Sequence, residues 1–238
     1  MYQVPSAFYA VVQLSTWFPN PQLLAELRDQ QLVSGDEIPN FACASSNDRA
    51  LTLSLPPHAD LRSLLRTDAT NADYGAGGNI HPPFKQHCGQ RLANAALSIV
   101  YEKGINWRSP TYAAAAQTGT GEVTVWLHDV LDAGLVLKDP HNIHTAGDCT
   151  KANQCAFWAQ CAWASIQFDD SAKSWVNATV ALTSDKQGMV LSASPPSGAK
   201  NAVATSYGWG SVPIMTVYRA DMDGEDGQLP VLTWNRTI

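Results

Sequence analysis

The sequence predicts an α/β unit followed by an all-β region. Three observations carry this: a continuous apolar run at Phe8-Tyr9-Ala10-Val11-Val12-Gln13-Leu14, two stretches with apolar residues spaced by three and four, and, after Gly104, a change to alternation. A short run that is apolar throughout suits a parallel strand covered on both faces. Spacing by three and four makes one apolar face of a helix, and alternation marks a strand with one face on a core. The expected division is 1–104 and 105–238, and 238 residues suffice for two such units.

Taken in order, the strand at 8–14 ends in Ser15-Thr16, and Asn20-Pro21 opens a helix whose expected apolar stripe is Leu23, Leu24, Leu27 and Leu32, with Glu26, Arg28 and Asp29 toward water. Ile38-Pro39-Asn40 is a turn. Residues 41–70 read as an inserted surface loop with one short strand, Leu51–Pro57 among them, in which His58 and Asp60 are solvated polar residues. A glycine-rich loop, Asp73-Tyr74-Gly75-Ala76-Gly77-Gly78-Asn79-Ile80, then leads to His81, with Pro82 and Pro83 restricting the backbone behind it. The following helix is expected to bury Phe84, Cys88, Leu92, Ala95 and Ile99, to expose Lys85, Gln90, Arg91, Asn94 and Ser98, and to end at Lys103-Gly104. Strands follow at Glu122–His128, Trp175–Leu182 and Gly188–Ala193, separated by Pro, Gly, Asp and Ser clusters, the pattern of a β-sandwich.

Composition sets limits. A net charge of −6 argues against a nucleic-acid partner, and no apolar run is long enough to span a membrane as a helix. Of the five cysteines, Cys149, Cys155 and Cys161 are too widely spaced for a zinc site and suit a disulfide among themselves, while Cys88 is the expected buried thiol. No metal or cofactor site is indicated. The Asn-x-Thr tripeptides at Asn177 and Asn235 agree with an oxidising, glycosylating compartment, so a secreted or lysosomal location is expected. The opening Tyr2-Gln3-Val4-Pro5-Ser6 nevertheless lacks the charged and apolar regions of a signal peptide.

A lone histidine before a helix is more often structural than catalytic. Here its surroundings decide: Ile80, His81, Pro82, Lys85, Gln86, Gly89, Arg91 and Leu92 resemble, in one register, the closing block of the sialate O-acetylesterase family of SGNH-type serine esterases. The strand at 8–14, the string Leu27-Arg28-Asp29-Gln30-Gln31, the segment Val203–Trp209 and the closing Leu229-Pro230 are similar to further parts of that family. The resemblance implies a partial SGNH three-layer α/β unit over 1–104, joined to the β-sandwich over 105–238. It also implies a carboxylic ester hydrolase that removes O-acetyl groups from a sugar, either sialic acid or an acetylated polysaccharide.

Serine-esterase chemistry needs a serine, a histidine to take its proton, a group to orient the histidine, and donors for the oxyanion. The resemblance gives His81 the role of base. Asp73 is the nearest acidic residue, able either to orient His81 or to cap the loop. The Asp-x-x-His closure common in SGNH enzymes is absent, because Gly78 stands three residues before His81. No Gly-x-Ser-x-Gly, Gly-Asp-Ser or Gly-Glu-Ser occurs, so the nucleophile is expected in an N-terminal part preceding this chain, its partner in the site. The competing expectations are a non-catalytic carbohydrate-binding or structural β-sandwich module and an inactive truncated pseudoenzyme. For the binding module, Trp126 is the candidate among eight tryptophans, since it is out of phase with Val123, Val125 and Leu127 and projects to the opposite face.

Overall fold

The computed structural model describes residues 9–13, 23, 25–31, 41–45, 86–137, 164–209, 216–221 and 229–238. Strands β1 (Tyr9–Gln13) and β2 (Phe41–Ser45) form a parallel pair, with Tyr9 opposite Phe41 and Gln13 opposite Ser45. Parallel neighbours need a crossover, and this one carries helix α1 over residues 25–31. The expected parallel strand therefore has a parallel partner. Within 41–70, expected to be a surface loop with one short strand, the described strand is β2 at its start, where Phe-Ala-Cys-Ala-Ser is too short and too mixed to announce it. Leu51–Pro57, His58 and Asp60 lie outside the described residues.

Helix α1 presents the opposite face from the one its leucines suggest. Leu23 and Leu27 are 61% and 48% exposed, whereas Ala25, Arg28 and Asp29 are buried. Residues 25, 28 and 29 share a face at the same three-and-four spacing, so periodicity alone does not choose between the two. Distant residues make the choice: Arg236 donates from Nη1 to Asp29 Oδ2 at 3.0 Å and from Nη2 to Oδ1 at 2.7 Å. A two-pronged guanidinium–carboxylate bond of this kind fixes orientation as well as attraction.

Helix α2 (Gln86–Ile99) lies against β2. Ala95 is buried as expected, but so is Arg91, four residues earlier on the same face, which was expected in water. The helix stops at Ile99, ahead of Lys103-Gly104. Glu102 turns left-handed with φ of 53°, and the Lys103 amide reaches back to the Leu97 carbonyl at 3.0 Å.

The rest of the described chain is antiparallel β: β3 (Thr111–Gly119), β4 (Glu122–His128), β5 (Leu135–Leu137), β6 (Ala164–Phe168), β7 (Trp175–Leu182), β8 (Gly188–Ser192), β9 (Ala202–Tyr207), β10 (Val217–Arg219) and β11 (Trp234–Thr237). Seven of these strands make one sheet in the order β11-β9-β6-β7-β8-β4-β3, and β10 pairs with β5 separately. The expected strands at 122–128, 175–182 and 188–193 are present. Instead of two stacked sheets, the seven strands form one hydrogen-bonded sheet that curls until its end strands meet.

Several bonds make that closure. The Tyr112 ring on β3 packs 5.6 Å from Trp234 on β11, and its hydroxyl donates to the Thr237 carbonyl at 3.4 Å. The Gln117 side chain accepts from the Ala202 amide at 2.8 Å and donates to the Lys200 carbonyl, so one amide side chain serves where a strand ladder would otherwise run. Inside the curl lie Val123, Val125, Leu135, Ile166, Phe168, Met189, Leu191, Tyr207, Val217 and Trp234, all essentially buried. Removal of this apolar surface from water is the main force holding the sheet in that shape. At the β3–β4 turn, Gly121 has φ of 72°, and a Cβ there would fall 2.1 Å from the Ala193 carbonyl oxygen, so a side chain is excluded.

Arg219 is a buried cation that ties β10 to the segment ahead of β3. Its Nη1 and Nη2 donate to the Arg108 and Asn106 carbonyls at 2.6 and 2.5 Å, while Nε faces Asp221. Each arm of the fork is thus used, as a buried guanidinium requires.

Turns outside the core are held by carboxylates. Asp169 accepts from the Lys200 and Asn201 amides and from the Asn201 side chain; Asp170 accepts from Ser174, and Asp185 from Thr183 and Gln187. These bonds hold all three below the ordinary carboxylate value, for Asp169 chiefly through the Asn201 amide. A carboxylate with a depressed folded pKa stabilises the fold above its unfolded pKa, and that stability disappears as pH falls through the folded pKa. Asp169→Asn is therefore expected to melt below the wild type at pH 7, with the difference closing at pH values under 3.8. Melting curves from pH 7 to pH 2 check this; a gap that persists unchanged at pH 2 would show that the charge of Asp169 is not what holds the turn.

Candidate functional site

The two catalytic residues expected from sequence, His81 and Asp73, lie outside the described residues. So do Cys149, Cys155 and Cys161, and the side chain of Cys88. The described residues supply β1, β2 and α2. Parallel strands β1 and β2 end together at Gln13 and Ser45, and in open parallel sheets ligands sit beyond the carboxyl ends of the strands. Helix α2 starts at Gln86, three positions after Pro83 in the sequence, and its first turn holds no acidic residue to offset the positive end of the helix dipole.

Helices α1 and α2 bury charge where sequence reasoning expects water. Burial lowers the Arg28 pKa to about 9, which still leaves its guanidinium protonated at neutral pH. Asp29, through its hydrogen bonds, raises the pKa of Arg236, as an anionic partner should. Tyr112 is pushed up by burial and pulled partly back by the Arg236 charge, which places phenol, guanidinium and carboxylate in one electrostatic group. The chemistry this group can perform is positioning: it locks α1, the crossover between the two parallel strands, to β11. Among the described residues no cluster of three or more His, Cys, Asp and Glu side chains could hold a metal ion, and no helix is long and apolar enough to cross a membrane.

Sequence reasoning misses Arg28, Arg91 and Arg219 as buried residues. Their only advance signal is small neighbours on the same helical face, Ala25 for Arg28 and Ala95 for Arg91, which leave room for a long side chain to lie down. Trp126 lies where its phase predicts. It is 46% exposed, while Val123 and Val125 on the same strand are fully buried.

The chain was compared with known proteins. It matches no protein-family model, and no curated protein matches it significantly. Among solved structures it is similar to a carbohydrate acetylesterase from Xanthomonas citri, with a TM-score of 0.58 and 16% sequence identity. The likeness is one of fold. It covers 97% of this chain and 41% of that one, so the chain corresponds to less than half the length of the acetylesterase it resembles.

Proposed function

We propose that the chain is the C-terminal portion of a carbohydrate esterase that removes O-acetyl groups from a sugar. In this reading residues 1–104 complete an SGNH-type α/β unit and 105–238 form an accessory β domain. One observation carries the proposal: the whole-chain fold likeness to a carbohydrate acetylesterase, which points to the same chemistry as the residue types around His81. The parallel β1-α1-β2 unit supports it, since that arrangement is the smallest piece of such a sheet. Leu23 and Leu27, exposed on α1, agree with a further layer supplied by the preceding part of the protein.

In the mechanism, a serine of that preceding part attacks the acetyl carbonyl. His81 takes the serine proton and delivers it to the departing sugar oxygen, which leaves as a hydroxyl while an acetyl-serine remains. Water then attacks the acetyl-serine with His81 again as base, releasing acetate. Asp73 orients the imidazole and favours its charged form in both steps. The sugar is an O-acetylated sialic acid or an acetylated polysaccharide, and the location is secretory or lysosomal.

The test uses the protein extended to its natural start. That protein is expected to hydrolyse an aryl acetate and to lose this activity on stoichiometric labelling by a fluorophosphonate at a serine ahead of Met1. Labelling of a serine within the 238 residues, or an inert extended protein, would sink the proposal.

A further inference from the structure

We infer that the outer face of β4, centred on Trp126, is a sugar-binding platform separate from the catalytic residues. For the class of ligand, this rests on the carbohydrate reading above; the geometry is independent of it. Glu122, Thr124, Trp126 and His128 alternate with the buried Val123 and Val125, so all four stand in one row on the outside of the curled sheet. Six residue steps of extended chain make that row about 20 Å long.

What distinguishes Trp126 from an ordinary exposed aromatic is the small size of its paired neighbours on both sides. Directly opposite it on β8 is Gly188 and directly opposite on β3 is Ala114. Side chains at such paired positions stand about 5 Å apart and are the ones that would lie against the ring. Here one neighbour is a methyl group and the other has no side chain. The bare flank at Gly188 is enforced, because a Cβ there would come within 2.7 Å of the Val125 carbonyl oxygen. An indole 46% exposed at this position offers an apolar surface to a pyranose ring, whose axial C–H groups form a matching apolar surface.

Next to it along the strand is a polar group already arranged. The Thr118 hydroxyl donates to Glu122 Oε1 at 3.1 Å and lies 3.1 Å from the Thr124 hydroxyl. With its single proton given to Glu122, Thr118 accepts from Thr124. Thr124 keeps acceptor capacity, and so does the Glu122 carboxylate, for the hydroxyl donors of a saccharide. An apolar plane flanked by oxygen acceptors fits a neutral or acetylated sugar chain better than an apolar protein surface, which would leave those acceptors unmatched. Trp175 on β7 is a natural control. It is 41% exposed, but opposite it stands Gln167, a long side chain whose Nε2 donates to the Lys173 carbonyl.

The experiment is affinity electrophoresis of the extended protein through native gels cast with acetylated xylan, acetylated pectin or mucin, beside gels without polymer. Wild type and Trp175→Ala are expected to be retarded by at least one of these polymers, and Trp126→Ala to run as if it were absent. Ala114→Arg keeps the indole but lays a long side chain across it, so it should lose retardation with the melting temperature unchanged. Retardation of Trp126→Ala and Ala114→Arg equal to wild type overturns the inference, as does a wild type retarded by none of the three polymers. Aryl acetate turnover is read in parallel and should be the same in all four proteins, since so small a substrate does not reach the platform. Failure of the platform therefore shows in the gel alone, and failure of the esterase reading in the turnover alone.

Discussion

Alanine in place of His81 is expected to lower aryl acetate turnover by the extended protein by roughly four to six orders of magnitude. Members of a nucleophile–base pair act as a unit: a serine without its base is a weak nucleophile at neutral pH, and the oxyanion donors then retain only a residual rate. Loss should appear in kcat far more than in KM, because in the proposed mechanism the imidazole moves a proton in the transition state and contributes little to holding the ester beforehand. His81 follows a glycine-rich stretch in the sequence, and the substitution is expected to leave the melting temperature close to that of the wild type. Turnover within tenfold of the wild type would remove His81 from the mechanism.

Trp234→Ala is the second large effect, and it acts on the fold. Trp234 is 1% exposed; its ring stacks on Tyr207 at 5.0 Å and meets Tyr112 at 5.6 Å, and its Nε1 donates to the buried Thr205 hydroxyl at 3.2 Å. Tyr207 in turn accepts at its hydroxyl from the Thr216 and Val217 amides, so the indole supports the residue that anchors the start of β10. Truncating a buried tryptophan costs about 3–5 kcal/mol, and the orphaned threonine hydroxyl adds to that. Since domains are stable by only about 5–15 kcal/mol, the variant should be partly unfolded at 37 °C. Urea unfolding followed by circular dichroism measures the loss. A cost under about 1 kcal/mol would show that contact between β3 and β11 is not what closes the sheet, whereas Trp234→Phe, which keeps most of the packing, should fall between the two.

The parts of the fold legible in the sequence are the continuous apolar run that becomes β1 and the strands whose two faces differ. Strand β4 is read correctly because Val123 and Val125 go inward while Trp126 faces out. β3 escapes, since Ala113 to Ala116 give no contrast between faces and alanine favours helix when taken alone. β5 and β10, at three residues each, are too short for any period to show. β6 carries a readable alternation, Ala164, Ile166 and Phe168 against Ser165 and Gln167, which a loop-like assignment of the cysteine-bearing stretch before it obscures. The face of α1 could not be read locally, because Arg236, which selects it, is far away in the chain. For the candidate site, the residue types around His81 are a local signal, and His81 itself lies outside the described residues. A serine and an orienting group for the proposed base would be brought to it by folding, and spacing says nothing about them.

The bond from Asp29 to Arg236 joins residues separated by 207 positions, which bears on how the polypeptide matures during synthesis. At a translation rate of about 5–20 residues per second, α1 emerges ten seconds or more before the strand that holds it. Throughout that interval the face of α1 that carries Asp29 lacks its contact with Arg236. The seating of α1 against β11 is thus a late event of synthesis, completed only once the closing strand has been made.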